Sequence, residues 1–192
     1  LSANLAAQEG ISPVFQAEVI QGLQRAVEKQ PDRSDWLFRL GILLSESGNQ
    51  PAALQVMRQL AAQPGDQAHL DAADLWQAAR ALHVAGDHQY AVPLYWRAIR
   101  LVSADPGGET LPVNLVDLYI DLSKACKASG DNDSALQALD QALVCEPQRL
   151  DLYQTRADWL QSSGQASAAL ESLKKALEIA PTNAGLHESV AR

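Results

Sequence analysis

His83-Val84-Ala85-Gly86-Asp87-His88 places two imidazoles and a carboxylate within six residues, a set that could hold a borderline divalent cation such as zinc. A third ligand at usable spacing is missing. The Gly-Asp pair also has a plainer reading as a turn whose aspartate caps the next helix. No metal is expected. Gly107-Gly108 lacks the spacing of a phosphate loop and reads as a flexible connection. Cys126 and Cys145 are too few for a disulfide scaffold and lack zinc-type spacing. Both fall on apolar positions of helical patterns, so both are expected in the core as small hydrophobes. Asn132-Asp133-Ser134 matches a glycosylation sequon, but it lies in a turn where Asn and Asp serve as helix caps. No catalytic residue and no cofactor are expected, and the chain does not read as an enzyme.

The elements that position these residues are repeats. From Leu150 to Pro181 two amphipathic helical patterns are joined by Ser163-Gly164-Gln165 and closed by a proline. Tyr153, Gly164, Ala169, Leu173, Ala176 and Pro181 recur 34 residues earlier as Tyr119, Gly130, Ala135, Leu139, Ala142 and Pro147. Ala157 and Leu160 become Ser123 and Cys126. Such a period marks one helix pair per unit. The whole chain, 1–192, is therefore expected to be a single repeat array. Residues 1–33 form a degenerate or half unit, with Ser12-Pro13 opening a helix whose stripe is Phe15, Val19, Leu23, Ala26 and Val27. Full units follow at 34–65, 111–149 and 150–183, with an irregular one at 66–110 and the start of a further or capping helix at 184–192.

Ser34 is expected to cap the second helix, and Pro51 to open the third after a Gly48-Asn49 turn. The unit at 66–110 is expected to begin near Asp66 with a long helix. Pro93 falls inside its second helix, where a proline should kink it. An insertion around 103–109 follows, with a helix restarting near Thr110.

Composition bounds the rest. Hydrophobic residues make up 47% and aromatics 5%, so the core is aliphatic and rich in strong helix formers. A net charge of −8 argues against nucleic acid, which wants a basic face. No run approaches the ~18 apolar residues of a membrane helix, so no membrane insertion is expected. The chain opens on Leu1 without a signal-peptide pattern and reads as a piece of a larger protein. The compartment is expected to be cytoplasmic by default. The alternative is a bacterial periplasm or envelope, with which the Ala- and Gln-rich composition is compatible.

Period, helix pairing and small residues at fixed offsets together resemble the tetratricopeptide repeat. Leu40-Gly41, Gly48, Ala53, Gly86, Ala91, Tyr95, Ala98, Gly130, Ala135, Ala142, Pro147, Gly164, Ala169, Ala176 and Pro181 fit that pattern. Ala79, Ser123 and Ala157 depart from its small glycine. The resemblance implies an all-α, right-handed superhelical solenoid of antiparallel helix pairs, with the first helix of each pair lining a concave groove. Carried over position by position, the inward set is Phe38 and Ile42, then Trp76, Arg80 and His83, then Ile120, Lys124 and Lys127, then Gln154 and Asp158. The apolar members would anchor a ligand and the cations would read a carboxylate. The family's clamp for chaperone tails is not matched, because Phe38, Ile42, Gln77, Asp117 and Asp121 stand at its positions.

The implied function is a non-catalytic module that binds a peptide or protein segment, within a larger protein or assembly. The alternative is a structural spacer or self-assembling unit beside a catalytic or membrane-export domain. A homo-oligomer fits either reading.

Overall fold

The computed structural model describes residues 13–64, 70–104 and 113–191. Among them there are ten helices and no strand, in the order α1 (Pro13–Lys29), α2 (Ser34–Glu46), α3 (Gln50–Ala62), α4 (Ala72–Val84), α5 (His88–Ala104), α6 (Leu115–Ala128), α7 (Asn132–Cys145), α8 (Leu150–Ser162), α9 (Ala166–Ile179) and α10 (Ala184–Ala191). The all-α class and the pairing of helices stand as the sequence implied. Two compact units divide the chain between Leu94 and Tyr95, inside α5. Ser12, Asp66, Gly107-Gly108 and Thr110 lie outside the described residues.

In the first unit α2 packs on α1 and α3, and α3 on α4. Leu40, Leu44 and Ala53 form a core cluster, closed by Ile20, Leu23 and Val27 of α1. Of the stripe expected on α1, Leu23 and Val27 pack on this cluster, joined by Ile20, while Phe15 is 55% exposed near the helix start. In the second unit α6 through α10 pack successively. Val116, Leu139, Ala142, Leu143 and Leu152 make one cluster, and Ala157, Leu160 and Ala169 another. Each buried leucine contributes about 1.5–3 kcal/mol. One helix pair buries too few of them to offset its chain entropy, so neighbours must share a core.

The turns are built alike. Gly48, Gly86, Gly130 and Gly164 all have positive φ, between 74° and 87°. After each, one backbone N–H reaches five residues back: Asn49 to Leu44, Asp87 to Leu82, Asp131 to Cys126 and Gln165 to Leu160, at 2.9–3.0 Å. This closure needs a left-handed residue at the helix end, which favours glycine. A Cβ on Gly164 would meet nothing within 4 Å, so the cost of Gly164→Ala is conformational alone. Thermal unfolding should show a loss of about 1–2 kcal/mol for Gly164→Ala and less for Gly164→Asn. Gly41 is different. It is helical, and a Cβ there would stand 2.5 Å from Met57 Cε, so a larger residue would require the flexible Met57 side chain of α3 to shift.

Several local expectations need correction. Ser34 does not cap α2: it is buried, and its hydroxyl donates to Gln63 Oε1 at 2.7 Å. Gln63 in turn donates to the Pro31 carbonyl, tying the end of α3 to the turn before α2. Among the described residues α4 starts at Ala72, capped by the Asp71 carboxylate, which accepts from the Asp74 N–H at 2.9 Å. The sixth starts at Leu115 under Asn114. Asp131, not Asn132 or Asp133, caps α7.

Asp87 does not cap α5 with its carboxylate. Arg58 of α3 holds that group from Nε and Nη2 at 2.8 and 2.6 Å, and only the Asp87 carbonyl serves the helix, accepting from Ala91 N–H. Helix α5 continues through Pro93. Pro93 and Gln89, whose carbonyl loses its partner, are both exposed, so water can satisfy it.

The cysteines separate. Cys126 is 1% exposed, and burial, with Asp131 nearby, pushes its thiol up to about 11. Cys145, expected in the core, is exposed instead, because it is the last residue of α7 and the apolar stripe runs off the helix there. At pH 8 Ellman's reagent should therefore titrate Cys145 readily and Cys126 only as fast as the protein opens. Equal rates would contradict this burial.

Candidate functional site

On α2 the inward candidates Phe38 and Ile42 are half-buried, one turn apart. They line a cavity of about 410 Å³ together with Leu23 of α1, Trp36, Leu70 and Asp74. Helix α1 and Trp36 therefore share the cavity wall with them.

On α4 the residues Ala73, Trp76, Gln77, Arg80, Ala81 and Val84 follow helical spacing along one face and, with Gln50, line a second cavity of about 480 Å³. The Arg80 guanidinium stands 5.4 Å from the Trp76 ring centroid, within range of a cation–π contact. Val84, at the end of this face, is 86% exposed.

His83 turns to its sequence neighbour. Its Nδ1 lies 3.0 Å from Nδ1 of His88, with the ring centroids 4.9 Å apart. One imidazole donates to the other across the α4–α5 turn. Among the described residues no three His, Cys, Asp or Glu side chains group to hold a metal.

In the second unit Ile120 packs on the cluster around Val116 and Leu139. Lys124 is exposed, with Nζ 4.0 Å from Asp121. Lys127, expected to read an anion, is already engaged: Nζ donates to Asn132 Oδ1 at 2.8 Å and to Ser162 Oγ at 3.4 Å, and lies 5.6 Å from the Trp159 ring centroid. It braces the α6–α7 turn against α8 instead. Gln154 is half-buried and Asp158 exposed. The structure thus gathers Trp76 with Arg80, and Phe38 with Ile42, in the first unit.

Two features were not foreseen. The first is Asp74 at the Phe38 cavity. Its carboxyl is raised above the usual range, chiefly by burial and then by Asp71, while Arg39 works the other way. Nothing in the helical periodicity marks it, since its place depends on how α4 approaches α2. The second is a cavity of about 540 Å³ in the second unit, where Arg156 donates to Asp140 at 2.6 Å and to buried Ser172 at 2.7 Å. The 16-residue spacings from Asp140 to Arg156 and on to Ser172 could have signalled it.

A family model described as the tetratricopeptide repeat matches residues 150–183. No curated protein matches the chain. Among solved structures, YrrB, described as a TPR protein with an unusual peptide-binding site, is 14% identical with a TM-score of 0.58, covering 92% of this chain and 84% of its own. MamA protein is 20% identical with a TM-score of 0.54, covering 85% and 82%. MamA from Desulfovibrio magneticus is 16% identical with a TM-score of 0.51, covering 88% of each. These likenesses carry the fold. No helix among the described residues is long and apolar enough to cross a membrane. Residues 150–183 thus match the tetratricopeptide-repeat family, and the chain as a whole shares the helical-repeat fold of these structures.

Proposed function

We propose that the chain binds a peptide or protein segment on the faces of its first helices, with the α4 face as principal anchor. The observation that supports this is the Trp76–Arg80 pair above a cavity of about 480 Å³, flanked by small Ala73 and Ala81 and by exposed Val84. A half-buried indole gives a large apolar contact, and the guanidinium beside it suits a carboxylate. The fold shared with YrrB, described as having a peptide-binding site, is in keeping with this use. Lys124 contributes in the second unit; Lys127 does not read the ligand, because its ammonium braces a turn. The test is selection of displayed peptides on the immobilised chain, followed by charge reversal. The selected segments should pair an apolar residue with an acidic one and bind Arg80→Glu at least about tenfold more weakly. Lys124→Glu should cost less. Equal binding to wild type and both variants would refute the assignment.

A scaffold or self-assembling segment is the second reading. It is favoured by Val14 and Phe15, 70% and 55% exposed on α1. Sedimentation showing association that grows with concentration and is lost in Phe15→Ser would support it; a monomer at all concentrations would remove it.

A further inference from the structure

Helix α1 carries a protruding aromatic residue near its start and an open cavity near its end, both on one side. Phe15 is 55% exposed, and Val14 beside it 70%. The cavity, of about 270 Å³, is lined by Gly22, Arg25, Ala26, Lys29 and Gln30 and by Trp36 of α2. At 3.6 residues per turn, Phe15, Gly22, Ala26 and Lys29 lie within about 60° of one another around the helix. Ile20, Leu23 and Val27 occupy a different face, which packs on the core cluster of α2 and α3. A Cβ on Gly22 would meet nothing within 4 Å, so the cavity is open down to the helix backbone. Phe15 does not fill it, because it stands seven residues before Gly22, about 10 Å along the axis.

The charges have the same self-matching arrangement. Helix α1 holds Glu18, Arg25, Glu28 and Lys29, two acids and two bases, in a chain of net charge −8. It is therefore a locally neutral surface on which two acidic chains can meet. Among the described residues the side chains of Glu18, Arg25 and Lys29 make no hydrogen bond or ion pair.

We infer that α1 is the contact between two copies of this chain, laid antiparallel across a two-fold axis near Gly22, with Phe15 of each copy seated in the cavity of the other. In that register the start of one helix opposes the end of the other. Phe15 then falls at Ala26 and Lys29 of the second copy, and Glu18 falls beside its Arg25. The two-fold axis repeats each contact, giving two seated phenyl rings and two Glu18–Arg25 pairs. A cavity of about 150 Å³ already holds benzene, so the larger space at Gly22 has room for a phenyl ring beside the Trp36 indole. The Arg33 guanidinium, 4.4 Å from the Trp36 ring centroid and paired with Asp35, holds that indole in place. This rests on the self-assembling reading above and specifies its surface; none of the α4 residues assigned to segment binding takes part.

Sedimentation equilibrium of the 192-residue chain should show a monomer–dimer equilibrium. Gly22→Leu fills the cavity from its floor, while Glu18→Arg and Arg25→Glu each set like charges against each other across the axis. Each should weaken dimerisation at least about tenfold. Glu18→Arg combined with Arg25→Glu should restore it to within about threefold of the wild type, because the pairs re-form with their signs exchanged. All three positions are exposed, and circular dichroism checks that each variant keeps its helices. Dimerisation unchanged in any single variant, no recovery in the double variant, or growth beyond a dimer would each overturn this pairing and leave the self-assembling reading standing. A monomer at every concentration removes both.

Discussion

Trp76→Ala should weaken binding of selected segments by about 30-fold to 1000-fold, the loss of about 2–4 kcal/mol seen when a central aromatic anchor is truncated. Trp76 is half-buried on α4, its ring is covered on one side by Arg80, and its neighbours Ala73 and Ala81 leave room beside it. Removing the indole deletes the apolar contact and also frees the guanidinium it orients, so the acidic half of recognition suffers too. Trp76→Phe should recover part of the affinity, because a smaller aromatic keeps the surface but stacks less on Arg80. Binding by calorimetry, alongside unfolding curves for each variant, separates this from a folding defect. The core residues of α4, Leu75, Ala78, Ala79 and Leu82, are buried and untouched. Full affinity in a folded Trp76→Ala protein would mean that the segment binds elsewhere.

The second large effect is on stability. Leu122 of α6 is 0% exposed. Leu122→Ala should cost about 2–5 kcal/mol through lost burial and the cavity left behind, lowering the melting temperature by about 5–15 °C. Because each repeat is held by its neighbours, the loss should spread to α7 and α8 as faster amide exchange. Replacement of exposed Lys124, two residues away, should change stability by less than about 0.5 kcal/mol.

What the sequence could reveal follows from how locally each feature is determined. Gly130 and Gly164 are legible because a turn needing positive φ admits little else, and Ala135 and Ala169 because only a small side chain lets paired helices meet. Helix ends were harder. Ser34 has the chemistry of a cap, yet Gln63, 29 residues later, claims its hydroxyl; Asp87 likewise belongs to Arg58. Gln63 comes from the far end of the same helix pair and Arg58 from the pair before, and periodicity reports neither. Cys145 is exposed although it falls on an apolar stripe, because a stripe on a helix wheel does not show where the next helix stops covering it.

At the candidate site, Trp76 and Arg80 were readable as i and i+4 on a first helix, but charge alone could not separate Lys124 from Lys127. Only the positions of Asn132, Ser162 and Trp159 show that one cation is engaged. Asp74 escaped notice for the same reason in reverse: an acid in the first turn of a helix is ordinary, and its apolar surroundings come from α1 and α2.

In the proposed binding mode ligand is held by the first helices and not by the second. Amide hydrogen exchange of the chain with and without a display-selected peptide tests it most directly. Protection concentrated on α4 around Trp76 and Arg80, extending to the α2 residues Phe38 and Ile42, is the expected result. Protection confined to the Asp140, Arg156 and Ser172 cavity of α7–α9, with α4 unchanged, would contradict it.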